Sequence, residues 1–283
     1  IYEAANPSFM AAAAIQRYWH KYRLGEDAAG DSGDRKNKKM SFPLELVQTM
    51  RAVQDVAVLT GAGVSAESGV PTFREAQTGL WVRYNPQELA TPEAFRHNPS
   101  LVWEWYTWRR ELIAKARPNP GHYALVDMEQ RFPSFTLITQ NVDGLHQLAG
   151  SKAVINLHGN IQLTKCSQEG ILVEKWEDTG VIPPRCPHCG GLLRPDVVWF
   201  GEALPPGAFN AASQAARRCD LFFSIGTSSV VEPAASLPYL ALEHGAVVVE
   251  INPSETPLTS AATYAFQGPS GQVLSALVEA VWS

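Results

Sequence analysis

Five short apolar runs, each stopped by a polar or turn-forming residue, constrain the fold of this chain more than any other feature. They are Val56–Thr60, Phe135–Thr139, Val154–Leu157, Leu221–Ile225 and Val247–Ile251, followed in turn by Gly61, Gln140, His158, Gly226 and Asn252. Stretches with helical spacing accompany them: Phe42–Val53, Pro99–Ala116, Asn119–Gln130, Gly207–Arg217 and Ser236–His244. A continuous apolar run, as opposed to an alternating one, suits a strand buried on both faces. Strands alternating with helices imply an α/β, Rossmann-like fold, a mostly parallel sheet with helices on both faces. Functional residues in such sheets lie in loops at the carboxyl ends of the strands.

One stretch breaks the alternation. Cys166–Arg194 is polar, rich in Pro and Gly, and holds three of the four cysteines. It reads as a small inserted, zinc-ribbon-like module over residues 160–195. The expected organisation is an N-terminal extension and linker over 1–40 and a catalytic domain over 41–283. Within the extension, Ala11–Leu24 has the pattern of a basic amphipathic helix and Gly25–Lys39 that of a linker. Ile15–Gln16 with the basic residues after it resembles an IQ-type calmodulin-binding helix, so a calmodulin-like partner is one expectation for residues 11–24. A transit peptide and a plain irregular extension are the other two readings. Met40, just before the globular pattern, suits a start site.

Composition narrows the function. The formal net charge is −5, and residues beyond the first 40 hold 16 Lys+Arg against 23 Asp+Glu, which argues against direct nucleic-acid binding. No run approaches the roughly 18 apolar residues of a membrane span, so a soluble protein with no membrane partner is expected. Four cysteines, three of them clustered, suggest a metal in a reducing compartment and not a disulfide scaffold.

The first chemical constellation is Gly61-Ala62-Gly63-Val64-Ser65-Ala66, directly after a strand. Glycines there let the backbone approach a pyrophosphate, and the next helix offers free N–H groups at its positive end. A Gly-x-Gly alone is common. The extended strings are more specific: GAGVSAESGVPTFR at Gly61–Arg74, TQNVDGLH at Thr139–His146, LHGN at Leu157–Asn160, VVWFGE at Val197–Glu202 and GTSS at Gly226–Ser229. In this order they resemble the sirtuin family, from about Phe42 to the C-terminus.

That resemblance implies a set of roles. Gly61, Ala62, Gly63 and Ala66 would hold the NAD pyrophosphate, with Phe73 and Arg74 over the nicotinamide ribose. Gln140, Asn141 and Asp143 would line the nicotinamide pocket, Asn141 and Asp143 with a part in catalysis. Gly226, Thr227 and Ser228 would meet the phosphates and adenosine ribose, Asn252 and Ser254 the far ribose, and Ser270 the adenine. His158 would be the general base, a role suited to a side chain whose unperturbed pKa is roughly 6.5. The other histidines, such as His122 and His146, are expected to be structural. Val198, Phe200, Gly201 and Glu202, with Ser229–Pro233, resemble the edges that hold an extended acyl-lysine peptide, and Asp196 and Glu202 are expected to make that groove acidic.

Tyr106 and Arg109, three residues apart in WEWYTWRR, fall on one helix face. They resemble the pocket of sirtuins that remove succinyl, malonyl and glutaryl groups, in which the arginine meets the distal carboxylate. Ala90 resembles the small residue that leaves room for the longer chain; acetyl groups would be removed more weakly. Cys186-Pro187-His188-Cys189 is a half-site with zinc-finger spacing. The other half is Cys166-Ser167-Gln168-Glu169, without a fourth cysteine. Glu169 or His188 could complete a structural zinc site, or zinc could be absent; Cys219 is expected in the core.

Other readings keep part of these residues. A dehydrogenase would need an acidic ribose-binding residue roughly 20 positions after the glycines, and neither Glu75 nor Glu88 follows an obvious second strand. An NAD hydrolase or ADP-ribosyltransferase on the same fold would not need Tyr106 and Arg109. A non-enzymatic NAD-binding scaffold would be expected to lack His158 or Asn141. A plain NAD-dependent deacetylase is the nearest competitor. A monomer in the cytoplasm, or in mitochondria if the extension is a targeting segment, is the expected setting.

Overall fold

The structure, a computed structural model, describes residues 40–71 and 89–283; Phe73, Arg74, Glu75, Glu88 and the expectations for residues 1–39 lie outside them. The chain order of the main elements is α1 (Leu44–Ala52), β1 (Asp55–Thr60), α2 (Gly63–Ala66), α3 (Pro92–His97), α4 (Pro99–Lys115), α5 (Pro120–Arg131), β2 (Ser134–Thr139), α6 (Leu145–Ala149), β3 (Val154–Asn156), β4 (Gly159–Cys166), β5 (Leu193–Val197), α7 (Pro206–Arg218), β6 (Leu221–Ile225), α8 (Leu237–Glu243), β7 (Val247–Asn252), β8 (Tyr264–Gln267) and α9 (Ser270–Trp282). Among the described residues no helix is long and apolar enough to cross a membrane.

Six strands form one sheet in the order β3-β2-β1-β6-β7-β8, and every pairing in it is parallel. The continuous apolar runs are now explained. In β1, Val56 and Val58 point into one core, with Leu46 and Met50 of α1, Leu125 and Met128 of α5, and Val273 and Leu277 of α9. Ala57 and Leu59 point into the opposite core, with Ala212 and Ala216 of α7 and Leu237 and Ala241 of α8. Successive residues face opposite sides of a strand, so a strand covered twice must be apolar at every position.

Chain order reverses between β1 and β6. One half of the sheet runs β1-β2-β3 outward, the other β6-β7-β8. A crevice opens at the carboxyl ends of the two central strands, where open α/β sheets bind ligands. The loop after β1 and the loop after β6 both empty into it.

Local sequence sets the helix starts. The Asn98 side chain accepts from Leu101 N–H (3.1 Å) with Pro99 at the first position of α4. Asn119 caps α5 in the same way through Gly121 N–H (2.9 Å). Proline there lacks an N–H that would be unpaired anyway.

Several elements lay beyond the expected alternation: the short helices α3 and α6, the strand β8, whose residues are only partly buried, and α9. The cysteine-bearing stretch is flanked by β4 and β5, which pair antiparallel in a separate two-stranded sheet. At its root Gly159 has φ 83°, and a Cβ there would stand 2.2 Å from Asp196 O, so the sharp junction requires glycine.

Candidate active site

The two central loops interlock through their backbones. Gly63 N–H donates to Gly226 O (2.9 Å), Gly61 N–H to Ile225 O (3.0 Å) and Gly226 N–H to Ile251 O (2.9 Å). A Cβ on Gly61 would lie 2.7 Å from Gly226 O, and one on Gly63 2.7 Å from Gly226 Cα. Gly226 itself has φ 61°, and its Cβ would meet Val64 N at 2.5 Å. These glycines are required by each other as much as by any ligand. Ala62 and Ala66 sit half-buried beside them, on the short turn that α2 makes. Thr227 is buried between the hydroxyls of Ser224 and Ser229, each 3.1 Å away, and Ser228 follows half-exposed.

Further along the crevice, Asn252 ends β7 and donates from Nδ2 to Ser254 O (2.9 Å). Ser270 starts α9 and is buried; Gly271 N–H donates to Glu67 Oε2 (2.7 Å), which ties α9 to the loop after β1. The crevice is thus a side-chain-poor turn ringed by hydroxyl, amide and carboxylate groups; bare backbone suits a pyrophosphate, and the surrounding donors and acceptors suit ribose and carboxamide, hence a dinucleotide.

After β2, Asn141 and Asp143 gather around Ser65, while Gln140 N–H donates to Thr60 O (3.0 Å). Asn141 Nδ2 donates to Ser65 Oγ (3.1 Å), and Ser65 Oγ donates to Asp143 Oδ2 (2.7 Å). Leu145 N–H donates to Asp143 Oδ1 (2.9 Å). Burial pushes the Asp143 carboxyl above its ordinary value, against the opposing pull of Leu145 N–H, Ser65 and the charge of Arg109. Ser65 was not among the residues singled out from sequence; a hydroxyl inside the glycine loop, opposite an Asn-x-Asp string, is the signal that could have found it.

His158 follows β3 and is half-buried. Its Nδ1 lies 2.8 Å from Gln140 O. A carbonyl oxygen only accepts, so Nδ1 carries the proton and Nε2 of the neutral ring keeps its lone pair. Burial lowers the His158 pKa, the Gln140 contact raises it, and burial prevails.

On α4, Tyr106 and Arg109 do share a face. Tyr106 is 3% exposed and its hydroxyl accepts from Trp199 Nε1 (2.9 Å). Burial pushes its pKa up to about 12, partly opposed by Arg109, so the hydroxyl stays protonated and keeps its own proton to donate. The Arg109 guanidinium lies 4.9 Å from the Trp105 ring centre and 5.8 Å from that of Tyr106. Burial lowers its pKa, while Tyr106 and Asp143 favour its charge. Arg110 does different work: it donates to Ile161 O, Leu163 O (2.7 Å) and Thr164 Oγ1 (3.0 Å) on β4. Ala90 is buried, and its carbonyl accepts from Phe200 N–H (2.9 Å). Val198 N–H donates to His158 O (2.9 Å), bringing the Val198–Glu202 segment beside the histidine. Phe200 is exposed, and Gly201 turns the chain with φ 85°.

The expected acidic groove needs correction. Glu202 is gripped in a two-pronged pair by the buried Arg194 (2.6 and 2.9 Å) and accepts from Trp199 N–H (2.8 Å). Burial pushes its carboxyl up, but these partners outweigh it and hold the carboxyl below its ordinary value. Asp196 pairs with Lys165 (3.1 Å). Both negative charges are spent on neighbours. The sequence showed the acids and not the basic residues that the fold delivers to them.

Cys166, Cys186, Cys189 and Glu169 converge, their ligand atoms all within 4.8 Å of one another. Cys166 Sγ and Cys189 Sγ are 3.4 Å apart, and backbone N–H groups of Glu169 and Gly191 point at these two sulfurs (3.4 Å each). Such N–H···S contacts stabilise thiolates, and three sulfurs with one carboxylate at this spacing fit a tetrahedral zinc. Of the two candidate completing residues, Glu169 is the one in the cluster. Cys219 is buried away from it, in the second core.

A parallel sheet in this strand order, with a glycine-lined crevice at its reversal, defines a dinucleotide-binding α/β protein. Its particular family follows from the matched strings: the chain belongs to the Sir2 family, whose model matches residues 61–233. An NAD-dependent protein deacylase of Aquifex aeolicus is 58% identical over 216 residues, covering 75% of this chain and 89% of that protein. The NAD-dependent protein deacylase of Methylococcus capsulatus is 50% identical over 250 residues, covering 86% and 98%. A Sir2 homologue solved as an NAD complex superposes with a TM-score of 0.79 at 46% identity, covering 85% of this chain and 94% of that one. A Sir2 structure with a deacetylated p53 peptide and 3'-O-acetyl ADP ribose gives 0.72 at 33% identity, covering 83% and 97%.

Proposed function

We propose that this chain is an NAD-dependent protein-lysine deacylase that prefers acidic acyl groups, releasing nicotinamide and O-acyl-ADP-ribose. Family membership and the relatives' activity support the deacylase reading. The acidic preference rests on one observation: Arg109 and a protonated Tyr106 share a face of α4, with the Arg109 charge felt at Asp143. A succinyl, malonyl or glutaryl carboxylate would meet the guanidinium through two hydrogen bonds and the tyrosine hydroxyl through a third.

When bound, NAD would supply the ribose whose anomeric carbon gives up nicotinamide to the acyl oxygen and whose hydroxyl receives the acyl group. The chain's own residues do the rest. Asn141 and Asp143, cross-linked by Ser65, shape the nicotinamide pocket. His158 holds its proton on Nδ1 and accepts one at Nε2 from a ribose hydroxyl. The Val198–Glu202 and Ser229–Pro233 segments hold the peptide by backbone pairing. Cys166, Cys186, Cys189 and Glu169 would hold zinc in a structural role, within a module over 160–195 of a catalytic domain over 41–283. Free cysteines suit a reducing setting such as the cytoplasm.

The test compares kcat/KM for succinyl-lysine and acetyl-lysine forms of one peptide, in the native protein and in Arg109→Met. The native protein is expected to favour succinyl, and the variant to lose that preference by roughly tenfold to a hundredfold, as a lost charge-assisted contact implies. Acetyl preference unchanged by the substitution would reduce the protein to a plain deacetylase. NAD cleavage without turnover of either peptide would make it a hydrolase.

A further inference from the structure

Two histidines buried behind the pocket are left over by this chemistry. His122 on α5 and His146 on α6 are 0% and 1% exposed, and their ring centres are 4.9 Å apart. Among the described residues each has one ring nitrogen with a hydrogen-bond partner and one buried nitrogen without: Nε2 in His122 and Nδ1 in His146.

The partnered nitrogens determine what the unpartnered ones are. Asn119 N–H donates to His122 Nδ1 (3.3 Å), so that nitrogen holds a lone pair and the proton of the neutral ring is on Nε2. His146 Nε2 lies 2.9 Å from Thr60 Oγ1. The Thr60 hydroxyl donates to Thr139 Oγ1 (2.8 Å), so its one proton is engaged and His146 Nε2 must donate to it. The His146 lone pair is therefore on Nδ1. The ring with the orphan donor and the ring with the orphan acceptor are neighbours, tilted 52° to each other with no hydrogen bond between them.

Both ends of this chain lead to the active site. Beyond Thr60, Thr139 Oγ1 accepts from Asn141 N–H (3.0 Å), and Asn141 reaches Asp143 through Ser65. At the other end the Asn119 side chain donates to Val64 O (2.7 Å) and Ser68 Oγ (3.0 Å) on the glycine loop. The path leaves the glycine loop at Val64 and returns to it at Ser65.

We infer that His146, held in one tautomer and packed against the neutral ring of His122, positions Asn141, and through it Asp143, against the glycine loop. Neither histidine touches substrate; His146 acts through Thr60 and Thr139, and His122 through its packing on His146 and its bond to Asn119. Burial supports a pair of neutral rings, since it pulls the His122 pKa down to about 4 and that of His146 to about 3, His122 adding to the latter effect. The inference rests on the reading that Asn141 and Asp143 line the nicotinamide pocket.

Long-range proton–nitrogen NMR of the histidine rings in the whole protein tests the pair directly. Both rings are expected to carry the proton on Nε2, with neither titrating between pH 8 and 6. A proton on His146 Nδ1, or either ring titrating near its ordinary pKa, would overturn the pair. Steady-state kinetics of His122→Leu and His146→Leu test the positioning. Each should lower kcat or raise the KM for NAD by about tenfold, the scale of one lost hydrogen bond, while the KM for the acyl peptide holds. Equal changes in both KM values, or none, would overturn the positioning role. If the native protein turned over no acyl peptide, the proposed function would fail while the NMR result still decided the pair.

Discussion

At the residue scale, the pocket works by fixing which atom holds a proton. His158 cannot place its proton on Nε2 without losing the Gln140 contact, and burial keeps the ring neutral. A base with a lowered pKa remains a base as the solution becomes more acidic. The acid limb of the kcat/KM profile should therefore fall below the ordinary value of roughly 6.5, and His158→Ala should cost about 10²–10⁴-fold in kcat. A limb centred above that value, or an active alanine variant, would remove His158 from the role. Its position after an apolar run made it legible in the sequence. Ser65 was less so, because its importance comes from Asn141 and Asp143, which are 76 and 78 residues away along the chain. Arg194 was missed for a different reason: Glu202 is only eight residues on, but nothing in the sequence shows that the turn between them brings the two side chains together.

At the element scale, strand and helix positions were largely visible, since both follow from local periodicity. The exceptions have physical causes. β8 is an edge strand with intermittent burial, so no continuous apolar run marks it. α9 is strongly apolar along one face yet follows a region where the sequence offered no strand to introduce it. The glycine loops were legible as glycines, but their reason was only half so: the signature suggested room for a pyrophosphate, and the structure adds two backbones in direct contact. Gly226→Ala combines a left-handed residue, costing about 1–2 kcal/mol, with a Cβ 2.5 Å from Val64 N. It should lower Tm by several degrees and weaken NAD binding, measured by thermal unfolding with and without the dinucleotide. A variant that matched the native protein in both would show that the loops are not locked together.

At the scale of the whole molecule, α4 packs on both the cysteine module and the segment that carries Ala90 and Trp199. Trp103 on that helix packs with Cys166, Cys186 and Leu193, while Trp105 and Tyr106 pack toward Trp199 and Ala90. The metal site should be weaker than one with four thiolates, because a carboxylate is a harder and less tightly held zinc ligand. Glu169→Cys should retain zinc against a chelator that strips the native protein, and Glu169→Gln should release it more readily, by metal analysis after dialysis. Identical retention in all three would exclude Glu169 as a ligand.

Adjacent arginines give α4 a double allegiance, Arg109 toward Tyr106 and the proposed acyl pocket and Arg110 onto the carbonyls of β4, the strand that ends at Cys166. If Arg109 sets acyl choice as proposed, selectivity and the cysteine module share one helix as their support. An engineer who grafts Tyr106 and Arg109 onto a relative without the Arg110 anchorage would transfer the recognition groups but not the angle at which they are presented.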